Sequence, residues 1–183
     1  RSNIENTLKN LRSRISVLFL HDPKDSNYLI ENVSFFKRIV KEYSIKSLGV
    51  SVYTPDEVKK THKSSFDLAY QFPLNILDRR FSRVIMPNGK RYARSIFLQG
   101  VLASKNSLRK GSSRKLKNIY EKYHQYIRSY NIDPLQAAIS FIEKNNNVDY
   151  FLVGVDNLKQ LKKIIFLKLI DVSHLISHLP FQK

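Results

Sequence analysis

The sequence predicts an α/β fold in which about five parallel strands alternate with helices. Two observations carry this prediction: short apolar runs rich in β-branched and aromatic residues recur along the chain, and amphipathic helical patterns separate them. The runs are also apolar on both faces, which is typical of strands that helices cover on both sides of a sheet. We therefore expect parallel strands over 15–20, 45–52, 66–72, 92–97 and 150–153.

The helices between these strands follow from apolar spacing and from capping residues. Ser2 and Glu5 have the spacing of a capping box, which predicts an opening helix over 3–12. Thr54 is a good N-cap, so a short helix should follow it and run to about His62. Apolar residues recur at helical intervals in four further segments, 29–43, 116–127, 135–142 and from 158 onward.

The composition bounds the class of protein. Of the 183 residues, 42% are hydrophobic, which is enough for a sizeable core, and none is cysteine, which excludes a disulfide framework and a thiolate nucleophile. The longest apolar runs fall far short of the ~20 residues that cross a bilayer. We therefore expect one soluble domain over 1–183 that is cytoplasmic and has no membrane partner.

The length is short for a closed barrel. An eight-stranded β/α barrel takes ~250 residues, or ~30 for each β-α unit, so this chain holds about five or six units. The chain begins at Arg1 rather than Met, and nothing near it has the pattern of a leader peptide, so we expect a fragment. Two alternatives stay open at this point, an open sheet and a barrel that lacks its first units.

Polar residues and glycines gather where the predicted strands end. The carboxyl ends of parallel strands lie at one edge of a sheet, and ligands bind there. His21 directly follows the first strand, and the other strands end near 51, 71, 95 and 154. Gly49, Gly100 and Gly154 lie at or just beyond three of these ends, where we expect glycine to let the backbone approach a ligand.

Five segments occur in the same order as in a known family. They are LFLHDP at 18–23, IKSLGVS at 45–51, FDLAYQFPLNILDRR at 66–80, RSIFLQG at 94–100 and FLVGVDNLKQLKK at 151–163. Together they resemble the aldo-keto reductases, and more narrowly a bacterial branch found among surface-sugar biosynthesis enzymes. The match covers almost the whole chain, but only the family's part from the helix before its fourth strand onward. The resemblance thus implies a (β/α)8 TIM barrel, present here as an N-terminally incomplete barrel.

The resemblance also implies hydride transfer between a nicotinamide cofactor, NADP or NAD, and a small-molecule carbonyl of an aldehyde, ketone or sugar. The family uses a Tyr as general acid, a Lys that lowers the pKa of this Tyr, an Asp that orients the Lys, and a His that positions the carbonyl. The first three lie on strands that this chain lacks, so only His21 carries over as a catalytic residue. The other interpretation of His21 is a strand-end imidazole that bonds a neighbouring loop. We expect the 183-residue chain alone to be inactive.

Three residues match family positions around the nicotinamide. Ser51 and Gln71 correspond to residues that hydrogen-bond the carboxamide, whereas the usual Asn after that Ser is replaced by Val52. Arg94 stands where many members have an aromatic residue stacked on the ring. A guanidinium there places positive charge beside a ring that is cationic when oxidised, so we expect the reduced cofactor to bind better. Arg94 could equally pair with a carboxylate on the substrate.

Two further segments match the family's contacts with the pyrophosphate and the adenosine. The loop after the fourth strand corresponds to the loop over the pyrophosphate. The last helix has N-terminal amides that suit an anion, and its first turns correspond to the surroundings of the adenine. The cofactor-binding residues implied by these segments are Ser95, Gln99, Gly100, Gly154, Asn157 and Gln160.

The adenosine end departs from the family pattern. The negative charge of Asp156 opposes a phosphate, so we interpret this residue as the N-cap of the last helix. Ile164 stands where an Asn is usual. No Arg marks a 2′-phosphate, and that role is left to Lys159, Lys162 or Lys163.

The strong positive charge supports an alternative function. The chain has 32 Lys+Arg against 15 Asp+Glu, a formal charge of +17, and basic residues cluster over 105–122, with Tyr120, Tyr123 and Tyr126 interleaved within and just after this segment. A non-catalytic basic α/β module would use this segment to bind nucleic acid or another polyanion. Tyr120 and Tyr123 share the apolar face of a predicted helix, however, so we interpret them as core and do not expect nucleic-acid binding.

Two further expectations concern metals and partners. No group of His, Asp and Glu residues has the spacing of metal ligands, so we predict no metal site. An incomplete barrel leaves the first strand unpaired on one side, and such an edge invites pairing with another copy. We therefore expect self-association through the open barrel edge.

Overall fold

The computed structural model describes residues 2–22, 24–61, 64–86, 89–103, 108, 111–177 and 179. Within these ranges the strands are β1 Val17–Leu20, β2 Ser47–Ser51, β3 Ala69–Pro73, β4 Arg91–Arg94 and β5 Tyr150–Phe151. The helices are α1 Ser2–Leu11, α2 Asp25–Glu31, α3 Val33–Glu42, α4 Pro55–Thr61, α5 Arg114–Ser129, α6 Pro134–Glu143, α7 Leu158–Ile165 and α8 Ser173–Ser177. This alternation confirms the predicted α/β class. The predicted helix end at His62 lies outside the described residues.

The five strands form one parallel sheet in the order β1-β2-β3-β4-β5. A sheet whose spatial order follows the chain order is the arrangement of consecutive units in a β/α barrel. In the described part of the chain, β1 pairs only with β2, and β5 pairs only with β4, so the sheet is not closed. The predicted incomplete barrel is thereby confirmed. Self-association through the β1 edge stays a prediction.

Each strand is shorter than the apolar run that predicted it. Ile15 and Ile45 are buried, but they precede β1 and β2 rather than belonging to them, because burial does not distinguish a strand from its flank. β4 ends at Arg94 instead of continuing to 97, because Ser95 has a left-handed φ of 58° that no strand contains.

Segment 29–43, predicted as one helix, forms two. α2 ends at Glu31 and α3 begins at Val33, while Asn32 between them has φ −119° and ψ 39°, outside the helical region. The Asn32 side-chain nitrogen donates to the carbonyl of Tyr28 at 2.9 Å. Asn side chains that bond a neighbouring carbonyl compete with helical backbone bonds. The prediction of a continuous helix is therefore wrong, because apolar spacing does not register this polar interruption.

The chain divides into two compact units. The first unit comprises Arg1–Phe72 and Arg83–Tyr92, and the second comprises Pro73–Ser82 and Ala93–Lys183. The boundary passes through β3 and β4. The prediction of one domain over the whole chain stays a prediction.

The core of the first unit forms where the opening helix meets the sheet. Ile15, Ile39 and Ile45 make a buried apolar cluster, and Ile4 and Leu8 of α1 pack against it. Burial of such side chains contributes roughly 1.5–3 kcal/mol each. This packing holds α1 against the residues that directly precede β1 and β2.

Gly49 has a different role from the one predicted. It lies inside β2, and a Cβ at this position would be 2.5 Å from the ring of Phe19. The Phe19 ring also packs edge-on against Tyr92, with 5.4 Å between the ring centroids. The expectation that Gly49 opens the backbone to a ligand is wrong, because its missing side chain makes room for an aromatic ring.

In the second unit, α5 and α6 supply many of the buried apolar side chains. Tyr123 and Ile127 of α5 are fully buried, which agrees with the interpretation of Tyr123 as core. Tyr120 is half-buried. α6 is buried over nearly its whole length, and the Asp133 carboxylate caps it by accepting from two backbone amides. α8 has no counterpart among the predicted helices, because its five residues are too few to show a periodic pattern.

The basic segment 105–122 is described only in part, since 105–107 and 109–110 lie outside the described residues. Its described basic side chains are exposed: Arg114, Lys115, Lys117 and Lys122. Of the tyrosines that follow the segment, Tyr123 is buried, and the Tyr126 hydroxyl donates to the carbonyl of Leu175 at 3.0 Å. These two tyrosines therefore contribute to the packing of the second unit.

The described ranges contain no helix that is long and apolar enough to cross a membrane. They also contain no cluster of three or more His, Cys, Asp or Glu side chains that could hold a metal ion.

Candidate functional site

Three predicted site residues of the first unit lie at the same level of the sheet. Ser51 of β2 is the register partner of Gln71 in β3, and the amide of Val52 donates to the carbonyl of Gln71 at 2.9 Å. Leu20 pairs with Val50, so His21 directly follows β1 at the level where Ser51 ends β2. The first unit thus brings all three predicted side-chain positions to one edge of the sheet.

Ser51 carries an unusual buried hydroxyl. The residue is 1% exposed, and its Oγ makes no hydrogen bond to any described residue. Leaving a buried polar group without a partner costs about 1–3 kcal/mol, so native structures rarely retain one. A hydroxyl held in this way at a strand end fits a ligand that brings its own donor and acceptor, as a carboxamide does.

His21 is exposed, and its ring forms no hydrogen bond within the described part of the chain. The adjacent Asp22 carboxylate accepts from the backbone amide of Lys24 at 2.9 Å. The alternative interpretation of His21, a ring bonded to a neighbouring loop, therefore finds no support among the described contacts. An exposed imidazole at this edge is available to a ligand.

In the second unit, the loop after β4 has an uncommon backbone. Ser95, Leu98, Gln99 and Gly100 all have positive φ, between 45° and 90°. Non-glycine residues rarely adopt this conformation, and it concentrates at functional sites. The amides of Gln99 and Gly100 donate to no described backbone acceptor, whereas the amide of Leu98 donates to Ser95 at 2.9 Å. The loop therefore presents unused N–H donors, the groups that bind anions.

This loop lines a cleft of about 840 Å³ that lies wholly in the second unit. The segment after β5 and the first turns of α7 form its other walls. Nothing lies within 4 Å of the position that a Gly154 side chain would occupy, so the backbone is open there. The predicted cofactor residues that line the cleft are Ser95, Gln99, Gly100, Gly154 and Gln160.

Two predicted residues lie beside the cleft without lining it. An Arg94 guanidinium nitrogen lies 3.5 Å from Ser95 Oγ. Asn157 is the N-cap of α7, and its side-chain oxygen accepts from the amide of Gln160 at 3.0 Å. The interpretation of Asp156 as the N-cap is therefore wrong. An N-cap side chain accepts from the amide two or three residues later, and in α7 it is Asn157 that makes this bond.

Asp156 instead pairs with Gln160. The amide of Asp156 donates to Gln160 Oε1 at 2.8 Å, and Gln160 Nε2 donates to Asp156 Oδ2 at 3.3 Å. Of the three lysines proposed for a 2′-phosphate, only Lys163 lines the cleft, and its Nζ lies 3.1 Å from the Asp133 carboxylate. Lys159 and Lys162 are not among the residues that line the cleft.

Two residues that the sequence did not single out hold the cleft loop. Asn75 Nδ2 donates to the carbonyl of Ser95 at 3.2 Å, at the start of the loop. The buried His124 ring lies 2.9 Å from the carbonyl of Val101 through Nε2, near the loop's end. A carbonyl oxygen only accepts, so Nε2 carries the proton in this bond. The sequence signal for His124 was its place on the apolar side of α5, next to Tyr123.

Comparison with known proteins identifies the kind of chain to which these features belong. A family model described as the aldo/keto reductase family matches residues 1–171. No curated protein matches the chain in sequence.

Several solved structures share the fold. Aldo-keto reductase AKR11C1 from Bacillus halodurans, in its holo form, has 20% identity and a TM-score of 0.72, over 97% of this chain and 65% of that chain. Glycerol dehydrogenase AKR11B4 from Gluconobacter oxydans has 17% identity and a TM-score of 0.73, over 100% of this chain and 65% of that chain. The thermostable aldo-keto reductase Tm1743, in complex with the inhibitor epalrestat, has 19% identity and a TM-score of 0.67, over 96% and 64%. This chain thus spans less than two thirds of these structures, and its open sheet corresponds to part of their barrel.

Proposed function

Because the chain belongs to the aldo-keto reductase family, we propose that its protein is an NAD(P)-dependent oxidoreductase that reduces the carbonyl of an aldehyde, ketone or sugar. The observation that carries this proposal is the buried, unpartnered hydroxyl of Ser51, at the same sheet level as Gln71 and next to the strand that His21 follows. Ser51 combines a hydroxyl that has no described partner with a place at the carboxyl edge of the sheet, where ligands bind.

Ser51 and Gln71 are the residues to hold the nicotinamide carboxamide. The carboxamide has one acceptor oxygen and a donor NH₂, and a hydroxyl with an amide offers both complements. Val52 follows Ser51 where the family has an Asn, and its buried side chain brings no polar group. The two remaining polar side chains then carry the recognition of the carboxamide.

The cleft of the second unit is the place for the pyrophosphate and the adenosine. Two unused N–H groups, of Gln99 and Gly100, suit phosphate oxygens. The N-terminal end of α7 adds the positive end of a helix dipole, which favours negative charge by about 0.3–1 kcal/mol. The excess of 32 basic over 15 acidic residues further attracts an anionic cofactor.

The cofactor supplies the hydride, and this chain's part is to bind, orient and polarise. His21, exposed at the end of β1, would donate a hydrogen bond to the carbonyl oxygen of the substrate and fix its orientation. Arg94 beside Ser95 would place positive charge near the nicotinamide or a substrate carboxylate. The Tyr, Lys and Asp of the family's proton-transfer group have no counterpart among these residues.

Calorimetric titration with NADH and NADPH tests the proposal directly. We expect at least one of them to bind, and Gln71→Leu to weaken its affinity at least fivefold. Gln125→Leu on the exposed face of α5 is the matched control and should leave the affinity unchanged. Absence of binding by both reduced nucleotides, or equal affinities for the Gln71→Leu and wild-type chains, would overturn the proposal.

A further inference from the structure

The cleft wall carries a carboxylate that forms no salt bridge with a described residue. Asp156 lines the cleft, directly before the N-cap of α7. Its described partner is the neutral side chain of Gln160, whose Nε2 reaches Oδ2 at 3.3 Å. Within the described ranges Asp156 forms no salt bridge, and its Oδ1 receives no hydrogen bond. An ionised carboxylate has about four lone-pair sites, so most of its accepting capacity is unused.

The one lysine among the described residues that line the cleft already forms an ion pair. Lys163 is the lysine that lines the cleft, and its Nζ lies 3.1 Å from Asp133 Oδ2. Asp133 cannot turn to another partner without loss, because its other oxygen caps α6 by accepting from Leu135 and Gln136. Lys163 thus pairs with Asp133, and the carboxylate of Asp156 contributes a negative charge to the cleft wall.

The Asp156 side chain is also held in place. The reciprocal bonds between Asp156 and Gln160 link the turn before α7 to its first turn. Gln160 is itself fixed through its backbone amide by the Asn157 cap. These bonds link the carboxylate to the first turn of α7.

We propose that Asp156 makes this cleft select NADH over NADPH, by accepting a hydrogen bond from the 2′-hydroxyl of the adenosine ribose and repelling a 2′-phosphate. A ribose hydroxyl can donate a hydrogen bond to a carboxylate. In other dinucleotide-binding folds an acidic residue accepts a hydrogen bond from the ribose 2′-hydroxyl, whereas a cationic residue accommodates the 2′-phosphate. A 2′-phosphate would bring nearly two negative charges next to the negative charge of the Asp156 carboxylate. The inference rests on the proposed function, since it requires the adenosine end of a dinucleotide in this cleft.

The test compares the dissociation constants of NADH and NADPH for the wild-type chain, Asp156→Asn and Glu121→Gln, by titration calorimetry at fixed ionic strength. Glu121 is exposed on α5, so its variant removes the same charge away from the cleft. We expect wild type and Glu121→Gln to bind NADH at least tenfold more tightly than NADPH. Asp156→Asn should bring the two affinities to within about threefold, chiefly by strengthening NADPH binding.

The outcomes separate the inference from the function on which it rests. Equal or tighter binding of NADPH by the wild-type chain overturns the inference and leaves the proposed function standing. A preference for NADH that persists in Asp156→Asn overturns the role of Asp156. Failure of both nucleotides to bind overturns the proposed function, and the inference with it. AMP and 2′-AMP, titrated in the same way, report on the adenosine end alone, and AMP should bind more tightly.

Discussion

His124 and Val101 form a bond that ties a helix to the cleft loop. The ring of His124 is 1% exposed, and its Nε2 donates to the Val101 carbonyl at 2.9 Å. The loop that precedes Val101 contains the left-handed residues whose amides face no described acceptor. Since α5 is buried against the second unit's core, it gives the loop a rigid support. We therefore propose that His124 positions the loop whose amides would bind the pyrophosphate.

We predict that His124→Leu destabilises the chain and weakens nucleotide binding. The Val101 carbonyl would lose its buried donor, which costs about 1–3 kcal/mol of unfolding free energy in urea titrations. His124→Gln can place an amide nitrogen near the Nε2 position and should recover at least half of the loss in both measurements. His174→Gln, at an exposed position of α8, is the control and should change stability by less than about 0.5 kcal/mol. Equal nucleotide affinity in His124→Leu and wild type would contradict the positioning role.

The hydroxyl of Ser51 should act on binding and not on stability. We predict that Ser51→Ala leaves the unfolding free energy unchanged or raises it by about 1 kcal/mol, because the buried Oγ has no described partner to lose. The same variant should weaken nucleotide binding at least fivefold. Ser82 Oγ is likewise buried without a described partner, so Ser82→Ala is a matched control that should change stability alike and binding not at all. A loss of stability in Ser51→Ala would mean that its hydroxyl serves the fold.

Asp171 should give the chain a distinct loss of stability in acid. Its carboxylate accepts from the hydroxyl and the amide of Ser173 and from Lys144, and these bonds lower its pKa to about 2. A group whose pKa is depressed by folding contributes stability that is fully present above its unfolded pKa and is lost as the pH falls through the folded one. The stability that Asp171 contributes is therefore lost as the pH falls from 3.8 to about 2.

The measurement is the urea midpoint of wild type and Asp171→Asn at pH 5 and at pH 2. We expect wild type to be the more stable at pH 5 and the difference between the two chains to shrink toward pH 2. A difference that is the same at both values would show that the carboxylate's charge is not what stabilises this turn.

Arg94 should discriminate between the redox states of the cofactor. A guanidinium near the nicotinamide repels the cationic oxidised ring and not the neutral reduced ring. We predict that the chain binds NADH at least fivefold more tightly than NAD⁺, and that Arg94→Gln reduces this ratio to near one. Arg128→Gln on α5 removes one positive charge elsewhere and should keep the ratio. Tighter binding of the oxidised form by wild type would refute this role of Arg94.

The sequence predicted the edge at which the site forms better than it predicted the loops that complete it. His21, Ser51 and Gln71 lie level because parallel strands align their carboxyl ends, and the apolar runs located the ends of these three strands to within one residue. The end of β4 was misplaced, because the left-handed φ of Ser95 depends on the loop's tertiary bonds.

The anchors of the cleft were not predictable from local pattern. His124 and Val101 are 23 residues apart in the chain, and Asn75 and Ser95 are 20 apart. Periodicity reports which face of a helix is buried, but it carries no information on which carbonyl a buried side chain meets. The pairing of Asp156 with Gln160 was missed for a local reason. Asp156 and Asn157 both suit an N-cap, and the sequence alone does not show which of the two caps α7.

The last prediction concerns catalysis by the 183-residue chain. Carbonyl reduction needs a proton donor as well as a hydride, and a tyrosine serves as that donor only when its pKa is brought down toward neutrality. Four described tyrosines have a pKa that departs from its ordinary value, and in each of them it is raised: Tyr43, Tyr70, Tyr123 and Tyr126. Burial raises the pKa of Tyr70, and a hydrogen bond to Glu5 raises that of Tyr43 to about 12. None of these four is poised as an acid.

His21 can orient a carbonyl, but orientation does not replace general acid catalysis, which is typically worth ~10²–10⁴ in rate. We therefore expect no turnover above background when the purified chain is given NADH or NADPH and a panel of aldehydes, ketones and sugars, even where calorimetry shows that the nucleotide binds. His21→Ala should leave that nucleotide affinity unchanged. Turnover by the wild-type chain that His21→Ala abolishes would show that the family's Tyr, Lys and Asp are dispensable here, and would place a proton donor among the residues of this chain.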